Sequence, residues 1–292
     1  MQPPASLIAL YHALGTRAAT GYRDALTADA FVGQLDWLVR HYAVRPLGEL
    51  LRLRRSGEAI DGLAAITFDD NHRSVLEQAL PLLAERGLPA TWCLIGDVLR
   101  GRPYWRRQVQ RLIDEDRVEA FLAFARRAAP AAVAGVRAER FYRDSKDPER
   151  CRVPDLMALL LRFLPGEADD DLVRLDGLAG RRPPEGVTLA NHSRSHPVFA
   201  GLTLSEQVAE IAGGAAALAG TGWPALAVLA LPFGGPESYD AATPTALAAA
   251  GCEAVLLTAG EGTAADDLAG HPRLAAGAIA LTRVLLGNVT LD

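Results

Sequence analysis

An apolar run that ends at two adjacent carboxylates does most to limit what this chain can become. Leu63 to Phe68 is almost wholly apolar and barely alternates, which is how a strand reads when a parallel sheet buries both of its faces. Asp69 and Asp70 stand at its carboxyl end. From Ser74 to Arg86 the apolar residues Val75, Leu76, Ala79, Leu82 and Leu83 recur at helical spacing and Gly87 closes the helix, after which Ala90 to Ile95 reads as a second buried strand. Strand, loop, helix and strand in that order predict an α/β fold whose site lies where strands end. Adjacent carboxylates there repel each other and lose hydration, which a metal ion or a proton relieves. The pair also suits the positive end of the helix that follows, so taken alone it leaves both readings open.

A second strand end supplies a partner. Val187 to Ala190 is again short and apolar, and it delivers Asn191, His192 and, four positions on, His196. Two imidazoles beside a carboxylate from another strand form a set that leaves coordination positions open for water and substrate, the arrangement of catalytic rather than structural metal sites. A lone histidine pair is more often simply hydrogen-bonded. This chain has only six histidines, however, and two of them flank Ser193 to Ser195 in a loop of small polar residues.

TFDD with its helix and PATW, then NHSRSHP, then LPFG at Leu231 to Gly234, resemble the successive motifs of the NodB-homology polysaccharide deacetylases, carbohydrate esterase family 4. The likeness covers most of the chain outside 102–186, and the His-x-x-x-His-Pro motif is its most discriminating part. The resemblance implies that Asp69 is the catalytic base. It implies that Asp70, His192 and His196 hold a divalent metal, zinc foremost, with cobalt, nickel or iron able to replace it. The oxyanion is expected at the backbone N–H of Phe233. In most of the family the proton donor is a late histidine, but His271 lies in GHPRLAAG, which is unlike that motif. LYHAL at Leu10 to Leu14 instead resembles the subset with permuted motif order, which makes His12 the expected general acid.

Two departures from the family pattern carry expectations of their own. Asn71 stands where Gly usually follows the Asp pair, and because Asn tolerates positive φ it is expected to make the turn. Ala230 stands where an Arg is common, so Arg283 on the last apolar run becomes the candidate for positioning Asp69. The implied activity is removal of an N-acetyl or other acyl group from an amino sugar or polysaccharide. Deformylation of a lipid-linked sugar, hydrolysis of a non-sugar amide, and a catalytically idle sugar-binding barrel are the alternatives.

The remainder of the chain fits a single domain over 1–292, since 292 residues that are 50% apolar can bury a sizeable core. A net charge of −5 argues against a nucleic-acid surface. Nearly all basic residues are Arg, with Lys146 the only Lys, which reads as coding bias alongside the abundant Ala and Gly. Cys93, Cys151 and Cys252 show no metal spacing, and Cys93 reads as a small buried hydrophobe. No cleavable leader precedes Ser6 and no apolar run nears the roughly 20 residues of a membrane span, so a cytoplasmic protein without a transmembrane segment is expected.

Strands are expected at Ser6 to Leu10, Tyr42 to Pro46, Ala225 to Leu231, Ala254 to Thr258 and Ala278 to Leu286. Helices are expected from Thr27 to Arg40, from Leu47 to Arg55, and from a Thr203–Glu206 capping box to Leu218. Residues 102–186 read as a helical insertion, with helices at Trp105 to Ala129, Val153 to Leu164 and Asp170 to Leu178 and a polar loop at Phe141 to Asp147. The whole predicts a distorted (β/α)7-type barrel with a helical insertion. Trp105, Phe199, Trp223 and Tyr239 are candidates either for stacking on sugar rings or for packing.

Overall fold

The computed structural model describes residues 5–16, 20–147, 149–164, 171–258 and 279–286. Eight parallel strands are found among them: β1 (Leu7–Tyr11), β2 (Ala43–Val44), β3 (Leu63–Asp69), β4 (Ala90–Leu94), β5 (Val187–Asn191), β6 (Ala225–Ala230), β7 (Ala254–Thr258) and β8 (Ile279–Leu285). Seven of them close into a ring in the order β1, β3, β4, β5, β6, β7, β8, with β8 returning to β1, while the two-residue β2 pairs only with the start of β3. The chain is therefore a distorted (β/α)7 barrel, and each strand lies within a residue or two of its expected place. Ala278 and His271 lie outside the described residues.

Side chains alternate along a strand, so each strand offers one face to the barrel interior and one to the surrounding helices. The interior row is small: Ile8, Ala65, Cys93, Ala190, Val228, Ala230, Ala254, Leu256 and Leu281 form one buried cluster. The outward row is bulkier, and Tyr11, Phe68, Trp92 and Leu189 pack with Phe31, Leu35 and Leu38 of helix Ala28–His41. Small residues inside permit a narrow barrel, whose mouth is consequently crowded by whatever the strand ends carry.

The helix after β3 begins as a π-helical turn, Val75–Ala79, before continuing as Leu80–Ala84, and Gly87 follows with φ 63. Between β4 and β5 the described residues contain no strand. The expected helix from Trp105 to Ala129 is two helices, Trp105–Asp114 and Val118–Ala128, because Asp116 takes a left-handed conformation with φ 53 between them. Phe141 to Asp147, expected as a polar loop, contains the short helix Phe141–Asp144, whose Phe141 and Asp144 are buried. The third expected helix is reduced to Leu175–Leu178, and Asp170 lies outside the described residues.

This helical segment has a core of its own, built on Val109, Leu112, Phe121, Phe141, Leu156 and Leu160. It is strapped to the barrel where Val173 N–H donates to Asn71 O (2.7 Å) and Arg73 N–H to Asp171 O (2.7 Å). Among the described residues no helix is long and apolar enough to cross a membrane.

Candidate active site

The strand registers bring the expected residues to one level. Tyr11 pairs with Phe68, so His12 and Asp69 leave adjacent strands side by side, and Leu94 pairs with Asn191 just before His192. Asp69 continues the inward row through Ala65, and His192 continues that of Ala190. Asp70 would by the same alternation point outward, but its φ of 65 breaks the strand and turns its carboxylate back toward the mouth. That corrects the expectation for Asn71: the left-handed turn is made by Asp70 itself. Asn71 instead ties loops together, its Oδ1 accepting from Ile95 N–H (2.9 Å) and its Nδ2 donating to Val173 O (3.3 Å).

Backbone strain is concentrated here. Of the five non-glycine residues with positive φ among the described residues, Asp70, Ser193, His196 and Phe233 surround the mouth and only Asp116 is elsewhere. Each costs about 1–2 kcal/mol relative to right-handed backbone, a cost that a fold tolerates where it places functional groups. Side-chain bonds hold the turns: Ser193 Oγ accepts from His196 N–H (2.9 Å), and Glu210 accepts from Ser195 N–H and Ser195 Oγ–H (2.8 Å each).

Asp70, His192 and His196 are buried, and one ligand atom from each lies within 4.8 Å of the others. His192 Nε2 is 3.6 Å and His196 Nε2 3.8 Å from Asp70 Oδ1, too far for hydrogen bonds. Ligands about 2.0–2.1 Å from a tetrahedral ion sit roughly 3.4 Å apart, so this spacing fits one metal ion shared by the three. His192 Nδ1–H donates to Ala230 O (2.7 Å), which orients the ring with Nε2 toward Asp70. Burial, reinforced by His192 and Arg106, holds the His196 pKa well below its ordinary value, so that ring is the neutral imidazole a metal requires. Two indoles brace the ligands from behind: Trp92 Nε1–H donates to Asp70 O (2.7 Å) and Trp105 Nε1–H to His196 O (3.1 Å).

Asp69 sits beside this set, with Oδ2 3.7 Å from His192 Nε2. Arg283, fully buried on β8, grips it with two hydrogen bonds, Nη1 to Oδ1 at 2.5 Å and Nη2 to Oδ2 at 2.7 Å. Burial alone would raise the Asp69 pKa; Arg283, His192 and His12 outweigh it and hold the carboxyl well below the usual carboxylate range. His12 Nδ1–H donates to Asp24 Oδ2 (2.6 Å), and the ring stacks on Tyr22 at 5.5 Å. Burial would lower the His12 pKa, but Asp24, with Asp70 and Asp69 behind it, raises it to about 9. The imidazolium is thus the prevailing form at neutral pH. Phe233 lies across the mouth with its ring 4.9 Å from that of His196, and among the described residues its N–H makes no backbone hydrogen bond.

Sequence reasoning missed three residues. Tyr22 O–H donates to Asp70 Oδ2 (2.9 Å), Tyr104 O–H donates to Asp70 Oδ1 (3.1 Å), and Asp24 sets the charge of His12. None lies in a recognisable spacing; the only available signal is that buried tyrosines usually find a hydrogen-bond partner. The four aromatics offered for sugar stacking are packing residues: Trp105, Phe199 and Trp223 are buried, and Tyr239 lies against a core cluster.

A family model described as polysaccharide deacetylase matches residues 56–120, the segment holding β3, its Asp pair and β4. No curated protein matches by sequence. Solved structures share the fold. The deacetylase PplD of Streptococcus pyogenes, solved with acetate, is 16% identical over 99% of this chain and 95% of its own, with a TM-score of 0.59. IcaB from Ammonifex degensii is 16% identical over 100% and 94%, at 0.55. A de-N-acetylase from Aggregatibacter actinomycetemcomitans is 9% identical over 99% and 96%, at 0.56. The polysaccharide deacetylase model thus matches the segment that carries the Asp pair, and the carboxylate and histidine motifs meet at one barrel mouth inside the fold that these solved deacetylases share.

Proposed function

We propose that the protein is a metal-dependent hydrolase that removes an N-acetyl group from amino-sugar residues of a polysaccharide, with Asp70, His192 and His196 holding the ion. The observation that carries this is the buried Asp70–His192–His196 set lying against an Arg-clamped Asp69. Zinc suits two imidazoles and a carboxylate best, and cobalt, nickel or iron can occupy such ligands because donor type alone does not select. A divalent ion bound there polarises the acyl carbonyl and brings a water's pKa toward neutrality.

The chain's own residues do the rest. Asp69, ionised under all working conditions, takes the proton of the attacking water, and Arg283 keeps its two oxygens fixed in plane. The N–H of Phe233 donates a hydrogen bond to the acyl oxygen as negative charge develops there. His12, charged at neutral pH, gives its proton to the departing amine nitrogen, and Asp24 holds that ring in place. An idle sugar-binding barrel would have no use for a buried carboxylate pinned by a buried guanidinium next to two buried imidazoles.

The test is elemental analysis of protein purified without chelator, followed by acetate release from N-acetylated oligosaccharides. About one equivalent of transition metal and metal-restorable acetate release are expected. Absence of both, before and after adding zinc or cobalt, overturns the proposal.

A further inference from the structure

We infer that Arg106 and Lys146 bind a negatively charged group, a phosphate or a carboxylate, carried by the substrate close to its acylated nitrogen. The inference rests on the proposed function for what the charge is attached to, but the anion site itself is argued from geometry.

A cavity of about 130 Å³ opens between the loop after β1 and the helical segment, and His12, Tyr22, Arg23, Tyr104, Arg106 and Tyr142 are among its walls. His12 and Tyr104 belong equally to the mouth described above, so a molecule entering here reaches that mouth. Several cations face this space, and two of them are already matched: Arg107 pairs with Asp171 (2.5 Å) and His12 with Asp24 (2.6 Å). Arg106 and Lys146 are different. Among the described residues neither lies within ion-pair distance of a carboxylate; the acids whose fields reach them are Asp70 and Asp24 for Arg106 and Glu237 for Lys146.

Both are instead held over the same two aromatic rings. Arg106 Cζ is 4.9 Å from the Phe233 ring and 5.9 Å from the Tyr142 ring, and its Nη2–H donates to Tyr142 Oη (2.6 Å). Lys146 Nζ is 4.6 Å from the Tyr142 ring and 5.4 Å from the Phe233 ring. Two like charges gathered over one pair of rings raise each other's energy, and ring faces offset only part of it. The strain shows on the neighbours. Burial and then Arg106 and Arg23 lower the Lys146 pKa, while Arg106 and Lys146 outweigh burial to pull the Tyr142 phenol below its ordinary value. The polar group in contact with both cations is a phenol, and an anionic ligand supplies what that corner lacks.

Phe233 links the corner to the chemistry. Its ring carries the two cations and meets His196 at 4.9 Å, while its N–H is the proposed oxyanion donor. The charged substituent therefore lies about one sugar ring or less from the acyl carbon. Lys146 also gains a meaning that composition denied it: in a chain whose 30 basic residues include a single Lys, that Lys lies over the ring of Tyr142, one of this cavity's walls.

The single lysine makes the site directly readable. Reductive methylation with labelled formaldehyde gives one side-chain dimethyl-lysine signal, which inorganic phosphate or glucuronate is expected to shift saturably at millimolar concentration, while glucose does not. The shift should vanish in Arg106→Gln. No saturable shift with either anion, or an equal shift with glucose, overturns the inference.

In turnover, the 1-phosphate and 6-phosphate of N-acetylglucosamine and an N-acetylated amino-uronate distinguish the two sources of charge from a neutral N-acetylglucosamine oligomer. The ratio of kcat/KM for the best charged sugar over the neutral one should fall about tenfold in Arg106→Gln and in Lys146→Met, the size expected for one charge-assisted hydrogen bond, with Lys146→Arg recovering most of it. Equal use of charged and neutral sugars by the unaltered enzyme overturns the inference while leaving the proposed hydrolysis standing. A saturable shift without acetate release from any sugar does the reverse.

Discussion

The barrel mouth and the helical segment that roofs it are built on different principles. At the mouth, short strands buried on both faces fix backbone positions through register, so a residue one step past a strand end has little freedom. The helical segment folds around its own core and reaches the mouth through a few side chains, chiefly Tyr104, Trp105 and the strap at Asp171 to Val173. The first region supplies the groups with reactive charge. The second supplies phenols and cations that touch those groups or face what approaches them. On the proposed reading, reaction type is a property of the barrel and choice of substrate a property of the segment over it.

The comparison can be broken most directly at the Asp pair. Asp70→Ala is expected to lose bound metal and all measurable turnover together, whereas Asp69→Asn keeps the metal and loses roughly 10²- to 10⁴-fold in kcat, since an amide cannot take the water's proton. Equal metal loss in both, by elemental analysis, would erase the division of labour between neighbours. Next comes Arg283→Met, which strands a buried carboxylate; removing one partner of such a pair costs about 3–5 kcal/mol, to be read from denaturant midpoints. A cost below about 1 kcal/mol would mean that Asp69 does not depend on the clamp.

A subtler effect concerns the loop after β1. His12 binds its proton more tightly folded than unfolded, so the stability it contributes is complete below its ordinary pKa near 6.5 and fades as pH rises through about 9. That difference amounts to about 3 kcal/mol. Asp24→Asn should shrink it and bring the alkaline limb of the kcat profile down from near 9 toward 6.5; an unmoved limb would detach His12 from proton donation. Smallest is Tyr104→Phe, which removes one neutral donor from Asp70 while keeping the ring. It should lower kcat by about tenfold or less, as one hydrogen bond is worth about 1 kcal/mol. A loss as large as that of Asp69→Asn would place the chemistry partly in the segment and undo the contrast.

Legibility followed the same line. Asp69, Asp70, His192 and His196 stood out because each follows a short apolar run, and such a run can only be a buried strand with an end. Arg283 was reached by way of the resemblance, since Ala230 stands where an Arg is common and the last apolar run carries one, and Asp69 is the carboxylate it grips. Tyr22, Tyr104 and Asp24 were not visible, because a phenol or acid contributed by a loop or by the first turn of a helix carries no period. The left-handed turn was assigned one residue late: propensity favours Asn71, but the geometry that brings both carboxylates to one side requires the break at Asp70. Asp116 divided an apparently continuous helix for an equally local reason, which apolar spacing does not reveal.

The indoles behind the ligand residues have a spectroscopic consequence. The chain holds four tryptophans, and two of them, Trp92 and Trp105, are buried with their N–H groups on the carbonyls of Asp70 and His196. Half of the tryptophans are therefore wired to the backbone of residues proposed to hold the metal. Arrival of an ion should be visible in unlabelled emission, as a modest change with zinc and as quenching with cobalt, nickel or iron. The protein would report its own loading in real time, without a substrate.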